Sequence, residues 1–458
     1  MNPQAGRRKD ILRAALMGVA LGRPVTNLKE GHVRQAWGGP PEGFHPTGVL
    51  FPDRPGRNTL PGLHGAAGQE LLAAVLASQP EGLGRTPVAF TGAALLELSG
   101  GTEGEDDGEV RAPGRPLLKA IRRWRANYPW EEVDWYAEDE PSEGLGPALR
   151  GIVPVLMGWE EPVPWAGRLA RLTHGRLLPQ SAAMVAALAL RELLGSGPKR
   201  KPGDIAASIR EELEPLEDAL REEQGGTWRE FGWSARPRGL AEALAPLPSL
   251  LREGREDLAL STILQTARQY EPQHQVGHVQ HGFPPAGIAW VLFVALGGTA
   301  PRLAMEALLA RGGEAEVLGG LLAALCVARH GAECFPEEWY AGTLGLGALE
   351  EAAEGQLSTE AWVAREGEWN REEEAMRAPL QEAVDKKREA AAAKKKTSGK
   401  KPPAAGLVEQ AEANFAPPPH LWLEPEDAED PRKKKILKAA RGKKKIGWKE
   451  ERKRKRER

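Results

Sequence analysis

Residues 308–339 read LLARGGEAEVLGGLLAALCVARHGAECFPEEW, and the fold is decided here. The opening has the apolar spacing of a helix end, and the pattern breaks at Gly312-Gly313. Paired glycines let a backbone turn sharply and approach another group closely. Two carboxylates follow with one residue between them, Glu314 and Glu316. Small and apolar residues from 318 to 328 then predict a buried helix, too short to span a bilayer. Acids at the start of such a helix lie beside its N–H groups, and at this spacing both can reach one divalent cation. The same acids would equally serve an interhelical turn, matching the helix dipole with no metal.

Composition sets the frame. A chain of 458 residues is long enough for one large domain or two ordinary ones. Hydrophobic content of 41% and charged content of 28% fit a soluble globular protein. The net charge of −2 hides a segregation: residues 432–458 hold 16 Lys/Arg against 3 Glu, a local +13, so the remainder carries −15. Cys326 and Cys334 cannot make a disulfide framework, and a reducing cytoplasmic setting is expected. Arg7-Arg8-Lys9 precede an apolar run at 11–21, the start of a secretory leader. Asp10 and Arg13 interrupt that run and no small-x-small cleavage site follows cleanly, so a buried first helix is expected instead. No other run approaches membrane-spanning length on this reading, and no membrane association is expected.

Upstream of the opening stretch the chain reads as helices. Residues 11–22 form one that ends at a glycine, with Glu30 a few residues on. Residues 31–62 are Gly- and Pro-rich and predict a long loop. A helix follows from 67 to 78, and then an acidic Gly-rich loop in which Asp106-Asp107 read as a solvated charge run. Trp124, Trp130 and Trp135 read as packing rather than a base-stacking platform. Thr173-His174 precede a small-residue helix at 179–194, with Met184, Val185, Leu188 and Leu193 at helical spacing. His274, His278 and His281 would share one helix face and bind a transition metal, but Gly277 and Gly282 argue against a continuous helix there. Gly282-Phe283 open a further apolar helix at 285–296.

Taken in order, these segments resemble the ADP-ribosylglycohydrolase family from about residue 10 to residue 345. The family's C-terminal signature is GGDxDT, a Gly/Ala-rich helix, and a G-x-x-x-x-P turn ending at a Trp. Gly312-Gly313-Glu314-Ala315-Glu316-Val317 match it with Glu for both Asp and Val317 for Thr, and Pro336 and Trp339 close it. The family's GDAxG becomes Gly22-Arg23-Pro24, and Glu30 stands at the spacing of the family's Glu, the candidate catalytic residue. Its T/S-D-D-T motif becomes Ala66-Ala67-Gly68-Gln69, which offers no carboxylate to a metal. SEGLGPALRGIVP matches S-N-G-A-A-M-R..P through Gly146, Ala148, Leu149, Arg150 and Pro154, with Leu145 at the Asn. Thr173-His174 with their helix are the clearest match, and Gly282-Phe283 fit the family's Gly-aromatic turn.

The resemblance implies an all-α, orthogonal multi-helix bundle with a central cleft. In active members two magnesium ions position a ribose and a water. The reaction releases ADP-ribose from a modified arginine or serine, or from a related conjugate, by breaking a bond at the anomeric carbon. Here the implied metal ligands reduce to Glu314 and Glu316, so magnesium is expected to be weak or absent. The implied ligand-binding residues are Arg150, Thr173, His174, Phe283, Gly312 and Gly313. Two functions follow: an impaired member keeping a cleft for an ADP-ribose-like ligand or a protein partner, or an active metal-dependent hydrolase removing ADP-ribose from modified protein or another ADP-ribosyl conjugate.

Three parts are expected: a helical domain at 1–350, a charged helical extension at 351–396, and a disordered linker and basic tail at 397–458. The extension is expected as one or two exposed helices broken at Pro379. The tail is expected to bind nucleic acid without sequence preference, with an affinity that falls steeply as salt rises. Deleting residues 432–458 should abolish that binding; filter-binding assays at two salt concentrations check it.

Overall fold

The computed structural model describes residues 3–38, 41–45, 48–78, 86–101, 108–128, 130, 144–195, 200–223, 238–270 and 276–397. The chain divides into a body, residues 1–272 and 278–400, and a second unit, residues 273–277 and 401–458. All the described helices lie in the body. The basic tail, Asp106-Asp107, Trp135 and His274 lie outside the described residues.

The body is all-α. Among the described residues there is no strand, only one isolated antiparallel bridge between Lys29 and Gly312. The helices of the first half are α1 (Pro3–Gly22), α2 (Glu30–Trp37), α3 (Ala66–Leu76), α4 (Pro87–Leu98), α5 (Arg115–Arg125), α6 (Val153–Met157), α7 (Pro162–Arg171), α8 (Leu177–Gly195) and α9 (Pro202–Glu223). The second half adds α10 (Leu240–Ala243), α11 (Leu247–Glu253), α12 (Glu256–Tyr270), α13 (Pro284–Gly297), α14 (Pro301–Arg311) and α15 (Ala315–His330). Then come α16 (Glu337–Ala341), α17 (Leu346–Ala353) and α18 (Thr359–Thr397).

The central pair is α1 against α15. A Cβ on Gly18 would stand 2.2 Å from the Gly319 carbonyl oxygen, and one on Gly319 would stand 2.6 Å from that of Gly18. Backbone meets backbone at this crossing, which is what a small-residue helix allows. Around it Ile11, Leu16, Met17, Leu318, Leu321 and Leu322 are buried, each stabilising the fold by about 1.5–3 kcal/mol. The α8 helix packs beside this pair. It is long and apolar enough to cross a membrane, contrary to the sequence reading, but 83% of its apolar window is buried inside the protein, so it serves as a core helix.

Two expectations about loops and helices change. The 31–62 loop begins as helix α2 and contains a short 3-10 turn, Pro55–Arg57. The charged extension is one unbroken helix, α18, that passes through Pro379. Proline removes one backbone donor, but Ala375 and Pro379 face solvent, where water can satisfy the carbonyl left over. Nor is the helix merely exposed: Trp362, Glu366, Glu373 and Val384 are buried on one face.

Candidate functional site

Gly312 and Gly313 both adopt positive φ (70° and 73°), a conformation that side chains with a Cβ rarely take. Their turn is held on two sides. The Asn27 N–H donates to the Gly313 carbonyl (2.7 Å) and the Gly313 N–H to that of Leu28 (3.0 Å). The Glu314 N–H donates to the Gln280 carbonyl (2.9 Å). The clamp places Glu314 at the N-cap of α15 and Glu316 in its first turn. The Glu316 N–H donates to Thr26 Oγ1 (2.8 Å), and its carboxylate accepts from the Ala67 N–H at the start of α3 (3.2 Å). Glu316 therefore lies at the N-termini of two helices, where partial positive charge favours an anion.

Both carboxylates are half-buried. Burial pushes Glu314 up from the ordinary glutamate range. Burial pushes Glu316 up to about 7, helped by the negative charges of Glu314 and Glu70 and opposed by Arg23 and the Ala67 N–H. A carboxyl that titrates near neutrality is suited to proton transfer.

A second cluster lies on α3, the 3-10 turn Arg150–Ile152 and the end of α7. Arg150, 1% exposed, ion-pairs with Glu70 and donates to Thr173 Oγ1, which lies 2.8 Å from His174 Nδ1. The cluster joins three of the six expected ligand-binding residues, Arg150, Thr173 and His174, to Glu70, a carboxylate the sequence reading did not single out, which takes up the Arg150 charge. Arg150 therefore faces an internal partner. Burial, and then the Arg150 charge, lower His174 to about 3, so it is neutral in the folded protein at physiological pH. Its unfolded value lies near 6.5, so its contribution to stability is complete above that pH. Below it, the contribution falls by about 1.4 kcal/mol per pH unit until the pH approaches 3. His174→Gln should flatten the acid limb of stability against pH in urea titrations; an unchanged slope would refute this assignment.

The remaining predicted residues are placed differently. Glu30 begins α2 next to the Lys29–Gly312 bridge, but its side chain is 57% exposed and pairs with Arg34. Phe283 is buried ahead of the Pro284-Pro285 start of α13 and offers no face to solvent. His278 and His281 stand edge to face at 6.2 Å outside any helix, with His278 beside Gly313.

The donor set does not fit a divalent metal centre. Among the described residues no group of three or more His, Cys, Asp or Glu could hold a metal ion. Ala66, Ala67 and Gly68 lack side-chain oxygens, one Glu316 oxygen is on the Ala67 N–H, and Glu70 is committed to Arg150. Restoring an acid at position 68 is blocked as well: a Cβ there would stand 2.6 Å from both the Cβ and the Cδ2 of His64.

Helix α18 explains what occupies these positions. Glu366 accepts from Gln69 Nε2 (2.8 Å), Trp362 Nε1 (2.9 Å) and His64 Nε2 (3.2 Å) and ion-pairs with Arg111 (2.5 Å). Arg111 also donates to Asn370 Oδ1 (2.6 Å) and to the carbonyls of His64 and Glu366. Arg23 ion-pairs with Glu373 at 2.8 Å. Thus Arg23 and Gln69, both departures from the family motifs, are contacts of the C-terminal helix. Burial alone would raise Glu366, but His64, Arg111 and the Gln69 hydrogen bond overcome it and hold the carboxyl at about 2. His64 itself is lowered, chiefly by burial, with the neighbouring Glu366 carboxylate pulling the other way.

A family model described as ADP-ribosylglycohydrolase matches residues 3–372, and the chain belongs to that family. The match runs beyond the resemblance read from the sequence and into the first half of α18. No curated protein matches the chain. A solved structure described as an "ADP-ribosylglycohydrolase-related protein complex" is similar at 21% identity, with a TM-score of 0.48, over 78% of this chain and 100% of that one.

Proposed function

We propose that this member of the family keeps its cleft for an ADP-ribose-like ligand, free or carried on a modified protein, and has lost metal-assisted hydrolysis. The observation that carries the reading is the donor set around α3: buried Ala66, Ala67 and Gly68 beside a Glu316 already hydrogen-bonded to the Ala67 N–H. Two-metal catalysis needs carboxylates on both walls of a cleft, and here one wall has none. The Gly312-Gly313 turn and the neutral His174 do not depend on a metal. Calorimetry with ADP-ribose should give the same affinity with magnesium or with chelator, and an ADP-ribosylated protein should release no ADP-ribose. Magnesium-dependent binding together with turnover would overturn the reading.

A second reading, an active hydrolase, draws on the Glu316 carboxyl titrating near 7. It requires turnover that persists in chelator and is lost in Glu316→Gln. Nucleic acid as a partner of the basic residues 432–458 is a separate part of the proposal, supported by their charge alone.

A further inference from the structure

We propose that α18 is a latch on the α3 wall of the cleft. Docked, it holds residues 58–64 and, through them, the Ala67 N–H that meets Glu316; when it lifts, that stretch of wall is released with it. The inference goes beyond the function proposed above and holds whether or not the cleft takes ADP-ribose.

The segment ahead of α3 has little regular structure of its own. Residues 51–62, FPDRPGRNTLPG, hold three prolines, which withhold backbone donors, and their regular element is the 3-10 turn Pro55–Arg57. The Asn58 side chain closes the loop on itself, accepting the Phe51 N–H (2.7 Å) and donating to the Phe51 carbonyl (3.0 Å). At the far end the Leu344 N–H donates to the Gly62 carbonyl (2.9 Å). Between these ties, α18 takes the backbone. Arg377 Nε donates to the Asn58 carbonyl (2.8 Å), and Glu373 Oε1 accepts the Leu60 N–H (2.9 Å). Glu373 Oε2 also meets Arg23 (2.8 Å), whose Nη1 donates to the Leu63 carbonyl (3.3 Å).

The hold continues into α3. His64 Nε2 donates to Glu366 (3.2 Å), and Trp369 stands edge to face with the His64 ring at 5.9 Å. That ring lies against the first turn of α3, close enough that a Cβ on Gly68 would stand 2.6 Å from both its Cβ and Cδ2. His64 therefore braces the turn whose Ala67 N–H reaches Glu316. The docked face of α18 is polar: Glu366, Asn370, Glu373 and Arg377 lie among Trp362, Trp369 and Val384. Desolvation offsets much of what buried ion pairs contribute, and polar surfaces within a chain resemble those of transient complexes. The α1–α15 crossing, by contrast, is backbone against backbone. The physical expectation is that α18 lifts as a unit before that core opens. Glu373 and Arg377 lie past residue 372, where the family match ends, so this part of the latch is an addition to the matched domain.

Native-state hydrogen exchange of the full-length protein in low urea tests the latch. In the wild type, the protected amides of residues 58–69, Ala67 among them, should open with those of residues 373–384. The two should share one opening free energy and one urea slope, both below those of residues 315–328. Arg377→Met should speed exchange in both stretches by the same factor, about tenfold or more, since it removes a charged hydrogen bond and an ion pair from the docked face. If that variant does not fold, the wild-type comparison decides alone. Residues 58–69 opening at a free energy different from that of 373–384 would overturn the proposal, as would their opening only together with 315–328. So would a folded Arg377→Met in which α18 exchanges faster and residues 58–69 do not. No ligand or activity enters these readings, so failure here leaves the ADP-ribose reading to its own calorimetry.

Discussion

Glu366→Ala should lower the free energy of unfolding by about 3–5 kcal/mol, the usual range when one partner of a buried ion pair is removed. The carboxylate is fully enclosed and takes donors from Gln69, Trp362, His64 and Arg111. Alanine would strand the Arg111 guanidinium in the interior with only neutral acceptors left. The loss should appear twice, as a shifted urea midpoint and as faster hydrogen exchange along residues 359–384 before the rest of the body. A change below about 1 kcal/mol would mean that α18 is not docked through this residue. The sign of the pH effect follows from a carboxyl held at about 2. Its contribution is complete above the ordinary glutamate range near 4.3 and is lost as pH falls from there toward 2. The wild-type advantage over Glu366→Ala should therefore shrink across that acid window.

Gly18→Leu should be at least as damaging, destabilising by more than about 3 kcal/mol. The new Cβ would meet the Gly319 carbonyl oxygen at 2.2 Å, the Gly319 carbonyl carbon at 2.6 Å and the Ala323 Cβ at 2.9 Å. None of these is the far end of a flexible side chain, so α1 and α15 would have to move apart. Separating them opens the centre of the core, and the space left is an additional cost. Soluble expression and the urea midpoint check this. A stable variant with a midpoint near that of the wild type would show that the crossing is looser than these distances require.

Much of the fold was legible because small-residue helices and glycine turns leave a mark in any single sequence. Gly312-Gly313 with the run at 318–328 marked one helix of the central pair, and the apolar run at 11–21 marked the other. Arg150, Thr173 and His174 were each marked by a different motif, and the structure places these three in one cluster, apart from Phe283, which is buried ahead of α13. Glu70 was not legible, since nothing local distinguishes a helical Glu that will meet a buried Arg from a solvated one. The role of α18 was hidden for a related reason. Its composition is that of a surface helix, and only the spacing of Trp362, Glu366, Trp369 and Glu373 marks an inward face. Charge at such positions reads as solvent exposure until the partners, Arg23, His64 and Arg111, are brought in from distant segments. Arg23 and Gln69 were read as losses from a motif; the structure shows them as gains of contact with α18.

The pairing of the first helix with late segments bears on how the chain is made. Arg7 donates to the Ala328 carbonyl, 321 positions away, and Arg23 meets Glu373 across 350. At a synthesis rate of about 5–20 residues per second, about 20–70 s separate the emergence of Arg23 from that of its partner. Through most of that interval, until residues 315–330 have been made, the apolar side of α1, from Ile11 to Leu21, has no α15 to cover it. The body therefore closes only after nearly the whole family domain has left the ribosome, a high-contact-order topology that folds slowly for its helical content. A nascent chain stalled before residue 315 would still display α1 to chaperones and proteases, and release beyond residue 377 would let the two ends of the domain lock together.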